Sequence, residues 1–211
     1  MKKDLVIIFD FDGTIAEIIK SPENIVNILA EEFGFRKIKA EDVEILKKKK
    51  AQDVLRILKI PLIKLPLILL KGRSILSKQM EKIRPFKGIK EVIDYLYDKK
   101  FIFGILTSNS KENVIKFLKK NQMDKFSFIS SEQRIFGKGN KLLKFIKIKK
   151  LKPENIIFVG DETRDMEAAK EAKIKTIAVT WGLNKKELLE KQKPDYLARS
   201  PKDLIGIIKN I

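Results

Sequence analysis

Apolar and polar positions alternate along this chain in two textures. Residues 4–9 (DLVIIF) form a short, nearly unbroken apolar run, the pattern of a strand buried on both faces of a parallel sheet. Residues 15–84 carry no clear strand. Ser21-Pro22-Glu23 places an N-cap before a proline at the first helical position, which predicts a helix over 22–33 ending near Gly34. Val43, Leu46, Val54, Leu55 and Leu58 predict a helix over 40–58, and 67–83 reads as another. Lys47 to Lys50 fit a solvated face of the first of these.

After Arg84-Pro85-Phe86-Lys87-Gly88 the texture changes. Strands are predicted at 101–106 (FIFGIL), 126–129 (FSFI), 156–159 (IIFV) and 174–179, with an edge strand at 195–197. Helices are predicted at 89–99, 111–120, 140–149, 165–172 and 185–192, and Ser200-Pro201-Lys202-Asp203 caps a last one. Such alternation implies an α/β fold: a parallel sheet with helices on both faces. Residues 15–84 interrupt it directly after the first strand, as a helical insertion would.

Composition narrows the chemistry. The 211 residues contain no histidine and no cysteine. A Ser-His-Asp triad, a Cys-His pair, a Cys/His zinc site and a disulfide framework are all excluded. Carboxylates, hydroxyls, Lys, Arg, backbone amides or a bound ion remain. Lys plus Arg is 46 against 28 for Asp plus Glu, a formal charge of +18. That is the footprint of a polyanion binder. Yet Lys supplies most of it, mixed with Ile and Glu along the whole chain, whereas Arg is the residue suited to reading phosphates and bases. A general Lys and Ile bias is the simpler explanation, so nucleic acid is disfavoured as a partner. The longest apolar run, 60–70, contains Pro61, Lys64 and Pro66 and is too short to span a bilayer. No membrane association and a cytoplasmic location are expected.

In open parallel sheets ligands bind beyond the carboxyl ends of strands. Asp10-Phe11-Asp12-Gly13-Thr14 follows the first strand. Two acids this close repel and desolvate badly, which suits a divalent cation with oxygen ligands; an Asx-turn is the alternative. Thr107-Ser108-Asn109-Ser110 follows the second strand and suits either an anion site or an ordinary helix N-cap. Phe136-Gly137-Lys138-Gly139 follows the third, and Gly160-Asp161-Glu162-Thr163-Arg164-Asp165 the fourth.

Taken together, these segments resemble the haloacid dehalogenase-like (HAD) superfamily of phosphatases over nearly the whole chain. Its DxDGT motif is met by Asp10 to Thr14, its strand-terminal Thr by Thr107, its Lys by Lys138 and its GDxxxD by Gly160, Asp161 and Asp165. LTSNSKENV, FGKGNKLL and VGDETRDMEAAK are most similar to phosphoglycolate-phosphatase-like members. The resemblance implies a Rossmann-like core of residues 1–14 and 85–211 with a small all-helical cap at 15–84. It further implies Mg²⁺-dependent hydrolysis of a small phosphorylated metabolite through an aspartyl-phosphate. Asp10 would be the nucleophile and Asp12 the general acid and base. Asp10, the Asp12 backbone carbonyl and Asp161 would hold the metal, with Asp165 behind them. Thr107, Ser108 and Lys138 would bind the phosphoryl oxygens, and Gly13 and Thr14 would shape the turn at which the cap moves. Arg73 is a candidate for reading a substrate carboxylate, or else part of a solvated helix face. A nucleotidase or sugar-phosphate phosphatase is the alternative on the same scaffold. A nucleic-acid-binding protein with a degenerate pocket is the remoter one. A monomer or homodimer is expected.

Overall fold

The structure, a computed structural model, describes residues 5–17, 22–80, 82–131 and 138–211. Six strands form one sheet: β1 (Val6–Phe9), β2 (Ile102–Thr107), β3 (Phe128–Ser131), β4 (Ile156–Gly160), β5 (Lys175–Val179) and β6 (Tyr196–Ala198). Their order is β3-β2-β1-β4-β5-β6, and every pairing is parallel. Among the described residues five α-helices lie between β1 and β2, the first four of them within the segment 15–84: α1 (Pro22–Phe33), α2 (Ala40–Leu46), α3 (Ala51–Ile57) and α4 (Leu65–Gln79). The others alternate with strands: α5 (Ile89–Asp98), α6 (Lys111–Lys120), α7 (Lys138–Ile148), α8 (Thr163–Glu171), α9 (Lys186–Glu190) and α10 (Pro201–Lys209). This is the Rossmann-like α/β architecture.

The two-residue period of β1 divides the core. Leu5, Ile7 and Phe9 pack with Val92, Ile93 and Leu96 of α5, Val114 and Phe117 of α6, and Leu204 and Ile208 of α10. Val6 and Ile8 point to the other face, with Leu142 and Phe145 of α7, Ala169 of α8 and Ala172 just past its end. Both faces being covered explains why the β1 segment reads as a continuous apolar run. β1 pairs with β2 on one side and β4 on the other. The chain turns outward in opposite directions from there, and a crevice opens beyond these strand ends.

Three sequence expectations shift. The helix expected over 40–58 is two, α2 and α3, separated at 47–50. Four successive lysines there supply no apolar residue to continue the buried stripe, and Lys50 takes an extended conformation as the N-cap of α3. Lys47 to Lys50 are therefore a turn rather than a helix face. The third strand lies two residues later than expected because Phe126 is drawn into the ring cluster with Phe9 and Phe103, leaving Phe128 level with Gly104. The N-cap expected at Ser21 lies outside the described residues, although α1 does begin at Pro22.

The helical segment leaves and rejoins the core through one paired stem. Ala16 bridges Pro85 in antiparallel fashion, Glu17 N–H donates to Arg84 O at 2.8 Å and Phe86 N–H donates to Ile15 O at 3.1 Å. At the far side the segment touches the core again. Lys185 N–H donates to Lys47 O at 3.3 Å, Lys185 Nζ pairs with Glu44 at 2.7 Å and Lys50 Nζ with Glu167 of α8 at 2.6 Å. No helix among the described residues is long and apolar enough to cross a membrane.

Candidate active site

β1 ends by delivering Asp10 into the crevice. Its N–H donates to Val159 O at 2.8 Å, and its Oδ1 accepts from Phe11 N–H at 2.8 Å, so the side chain is fixed from its own backbone. The chain then turns at Gly13, whose φ of +85° favours glycine. A Cβ there would also overlap the Asp161 carboxylate. β4 and the N-terminus of α8 deliver Asp161 and Asp165. Carboxylate oxygens of Asp10, Asp161 and Asp165 lie within 4.8 Å of one another, and all three residues are buried.

Asp161, like Asp165, is fully enclosed. Its Oδ1 accepts from Thr14 Oγ1 at 2.8 Å and its Oδ2 from Leu183 N–H at 2.7 Å, while Gly182 packs directly against it. Burial, then the charges of Glu162, Asp165 and Asp10, push its carboxyl well above the ordinary range, against the opposing Leu183 hydrogen bond. Three acids drawn together away from water are costly unless a cation joins them. The donors are all oxygen, which suits a hard dication such as Mg²⁺. Asp165 Oδ2 also accepts from Glu162 N–H at 3.1 Å, closing the first turn of α8.

The Asp12 carboxylate is not one of these three. Its Oδ1 accepts from Asn109 Nδ2 at 2.9 Å. Asn109 lies in the turn after β2, where its N–H donates to Thr107 Oγ1 at 2.9 Å and its Oδ1 accepts from Ser110 N–H at 2.8 Å. The buried Thr107 and half-buried Ser108 thus stand at the end of the strand beside β1, tied through Asn109 to the first acidic segment. Lys138 begins α7; its side chain, like residues 132–137, lies outside the described part. Arg73 is half-buried in α4, where burial lowers its pKa.

A fifth strand end also contributes, beyond the four to which the sequence points. Thr180 to Asn184 follow β5 and close over Asp161, with Trp181 Nε1 donating to Thr14 O at 3.1 Å and Asn184 Oδ1 accepting from Thr163 N–H at 2.9 Å. A Gly and an Asn just past a strand were the available signal. Asn109 was also overlooked as the link between the first and second motifs. Arg164 was passed over too: it pairs with Glu162 beside the cluster. Burial works against its cation, but Glu162, Asp165 and Asp10 outweigh this and raise its pKa.

Comparison with known proteins gives the same picture. Phosphoglycolate phosphatase of Synechococcus elongatus is 29% identical over 206 residues, 97% of this chain and 97% of that protein. Pyrophosphatase PpaX of Bacillus mycoides is 28% identical over 135 residues, 62% of this chain and 63% of that protein. A predicted phosphatase from Clostridium acetobutylicum superimposes with a TM-score of 0.83 at 19% identity, covering 98% of this chain and 99% of that one. A haloacid dehalogenase-like hydrolase from Streptococcus pneumoniae superimposes at 0.81 with 20% identity, covering 97% and 99%. At such identities these two speak for the fold alone. The family described as haloacid dehalogenase-like hydrolase matches residues 7–179, from β1 to the end of β5 and thus Asp10, Asp161 and Asp165 alike, so the chain belongs to this family of enzymes.

Proposed function

We propose that this enzyme is a Mg²⁺-dependent phosphatase that hydrolyses a small, phosphoglycolate-like phosphate monoester through an aspartyl-phosphate. One observation carries the reading: three buried carboxylates from β1, β4 and α8 converge within 4.8 Å beside the end of β2. Asp10 and Asp161, with the Asp12 carbonyl, would hold the ion, and Asp165 would stand behind them. Bound there, Mg²⁺ supplies positive charge that offsets the phosphate's repulsion of a carboxylate.

An Asp10 oxygen attacks phosphorus as the bond to the leaving oxygen breaks, and Asp12 gives that oxygen its proton. Asp12 then takes a proton from water, whose oxygen attacks phosphorus and releases Asp10 and inorganic phosphate. Asn109 keeps the Asp12 carboxyl oriented through both halves. Thr107, the amide of Ser108 and Lys138 bind the phosphoryl oxygens as charge shifts. The helical segment 15–84 acts as a cap that closes over the site and reads the remainder of the substrate.

The test is hydrolysis of para-nitrophenyl phosphate and phosphoglycolate with Mg²⁺, by wild type and D10N. Turnover that disappears with EDTA, and falls at least about a thousandfold in D10N, is expected for loss of a nucleophile. D10N turnover near wild type would overturn the assignment. A second substrate reading, pyrophosphate, is favoured by the similarity to the Bacillus mycoides pyrophosphatase over 62% of this chain; adding pyrophosphate, nucleotides and sugar phosphates to the panel separates these substrates.

A further inference from the structure

The buried side chain of Asn109 is oriented from its own turn. Its Oδ1 accepts from Ser110 N–H at 2.8 Å and from Asn113 Nδ2 at 3.1 Å. A backbone N–H can only donate, so Ser110 settles which end of the Asn109 amide is oxygen. The other end, Nδ2, is then the donor that meets Asp12 Oδ1 at 2.9 Å. The Asn109 backbone is held as well, its N–H by Thr107 Oγ1 and its carbonyl by Ser131 Oγ.

The same logic carries outward. Asn113, half-buried in the first turn of α6, gives its Nδ2 to Asn109 and so presents its Oδ1 on the opposite side. There it accepts from Ser77 Oγ at 3.0 Å. Ser77 stands near the end of α4, in the helical segment. Three hydrogen bonds therefore run head to tail, from Ser77 to Asn113, to Asn109, to the Asp12 carboxylate. Donors aligned in one sense polarise one another, so each link strengthens the next. On the other flank of the crevice the segment is seated through Glu44–Lys185 and Lys50–Glu167.

We propose that Asn113 and Ser77 are positioning residues for Asp12: the seating of α4 on α6 sets the orientation of the carboxyl that serves the leaving oxygen. This rests on the phosphatase reading above and adds that the helical segment acts on the proton transfer as well as on substrate choice.

The experiment measures kcat/KM for phosphoglycolate and para-nitrophenyl phosphate, both with Mg²⁺. That quantity covers the half-reaction in which the bond from phosphorus to the leaving oxygen breaks and Asp12 gives that oxygen its proton. An alkoxide needs the proton, whereas para-nitrophenolate leaves as the anion near neutral pH. N113A should lose roughly three- to tenfold on phosphoglycolate, the worth of one neutral hydrogen bond, and less than about twofold on the aryl ester. S77A should lose less than N113A with the same bias, and S77T, which keeps the donor, should match wild type. S77D accepts where Ser77 donates, draws the Asn113 amide away from Asn109, and should cost at least as much as N113A. The double variant S77A N113A should equal N113A alone, because both changes break one chain. Ser77 is exposed on its helix, so its substitutions leave the fold intact. Equal losses on both substrates, the pattern of a purely structural pair, would overturn the proposal. So would additive losses in the double variant, or S77D at the wild-type rate. Wild type active on the aryl ester alone would overturn it too, since an acid held in place must serve an alkoxide. Wild type that hydrolyses neither ester would remove the phosphatase reading and this proposal with it.

Discussion

Close approach and hydrogen bonding together fix the carboxylate of Asp161. Gly13 and Gly182 press on it from two sides, and neither position has room for a Cβ. Gly182→Ala would force Asp161 aside without straining φ, at an expected cost of about 1–3 kcal/mol in urea unfolding. Its kcat should fall more steeply than its stability, because the displaced oxygen belongs to the acidic group. Gly13→Ala adds strain at φ +85° to the same overlap and should be the more damaging. At this scale the sequence was informative where chemistry and geometry coincide. Asp10, Asp161 and Asp165 stand at strand ends that local apolar runs reveal. Gly182 and Asn109 were not legible, since their importance lies in partners far off in the chain: Gly182 against Asp161 and Asn109 against Asp12.

Among the elements, the strands were the easiest to foresee and the helices within residues 40–58 the hardest. A strand buried on both faces announces itself by composition. α2 and α3 are short, and what separates them is a turn whose Lys47 carbonyl is bonded from the core by Lys185. Periodicity within 40–58 contains no trace of that distant contact. α2 has a local anchor as well. Asp42 accepts from Lys39 N–H at 3.0 Å and from Arg36 Nη2 at 2.7 and 2.9 Å. The Lys39 hydrogen bond first, then Arg36, hold its carboxyl below the ordinary value. A lowered carboxylate stabilises the fold above its unfolded pKa and ceases to do so as pH falls through the folded one. Hydrogen exchange in α2 should therefore be faster in Asp42→Asn than in wild type at neutral pH. The difference should shrink as pH falls below the usual aspartate value.

For the whole molecule, the charge of +18 did not decide function. The described ion pairs join mostly exposed partners such as Lys71–Glu32 and Lys186–Glu190, and such pairs contribute about 0–1 kcal/mol each. The concentrated electrostatics is negative and internal, at the acidic crevice. Mg²⁺ at about a hundred times its Kd should add about 2.7 kcal/mol and raise Tm by roughly 5–10 °C for a chain of this length. Asp161→Asn should abolish that shift, which differential scanning fluorimetry reads without any substrate. The stem at Ala16 and Pro85 has a further consequence. Because the helical segment departs and returns through adjoining residues, its length and content are uncoupled from the register of the sheet. Evolution, or an engineer, can trade the whole module for another at that junction and alter which molecules gain entry while the reactive floor stays as it was.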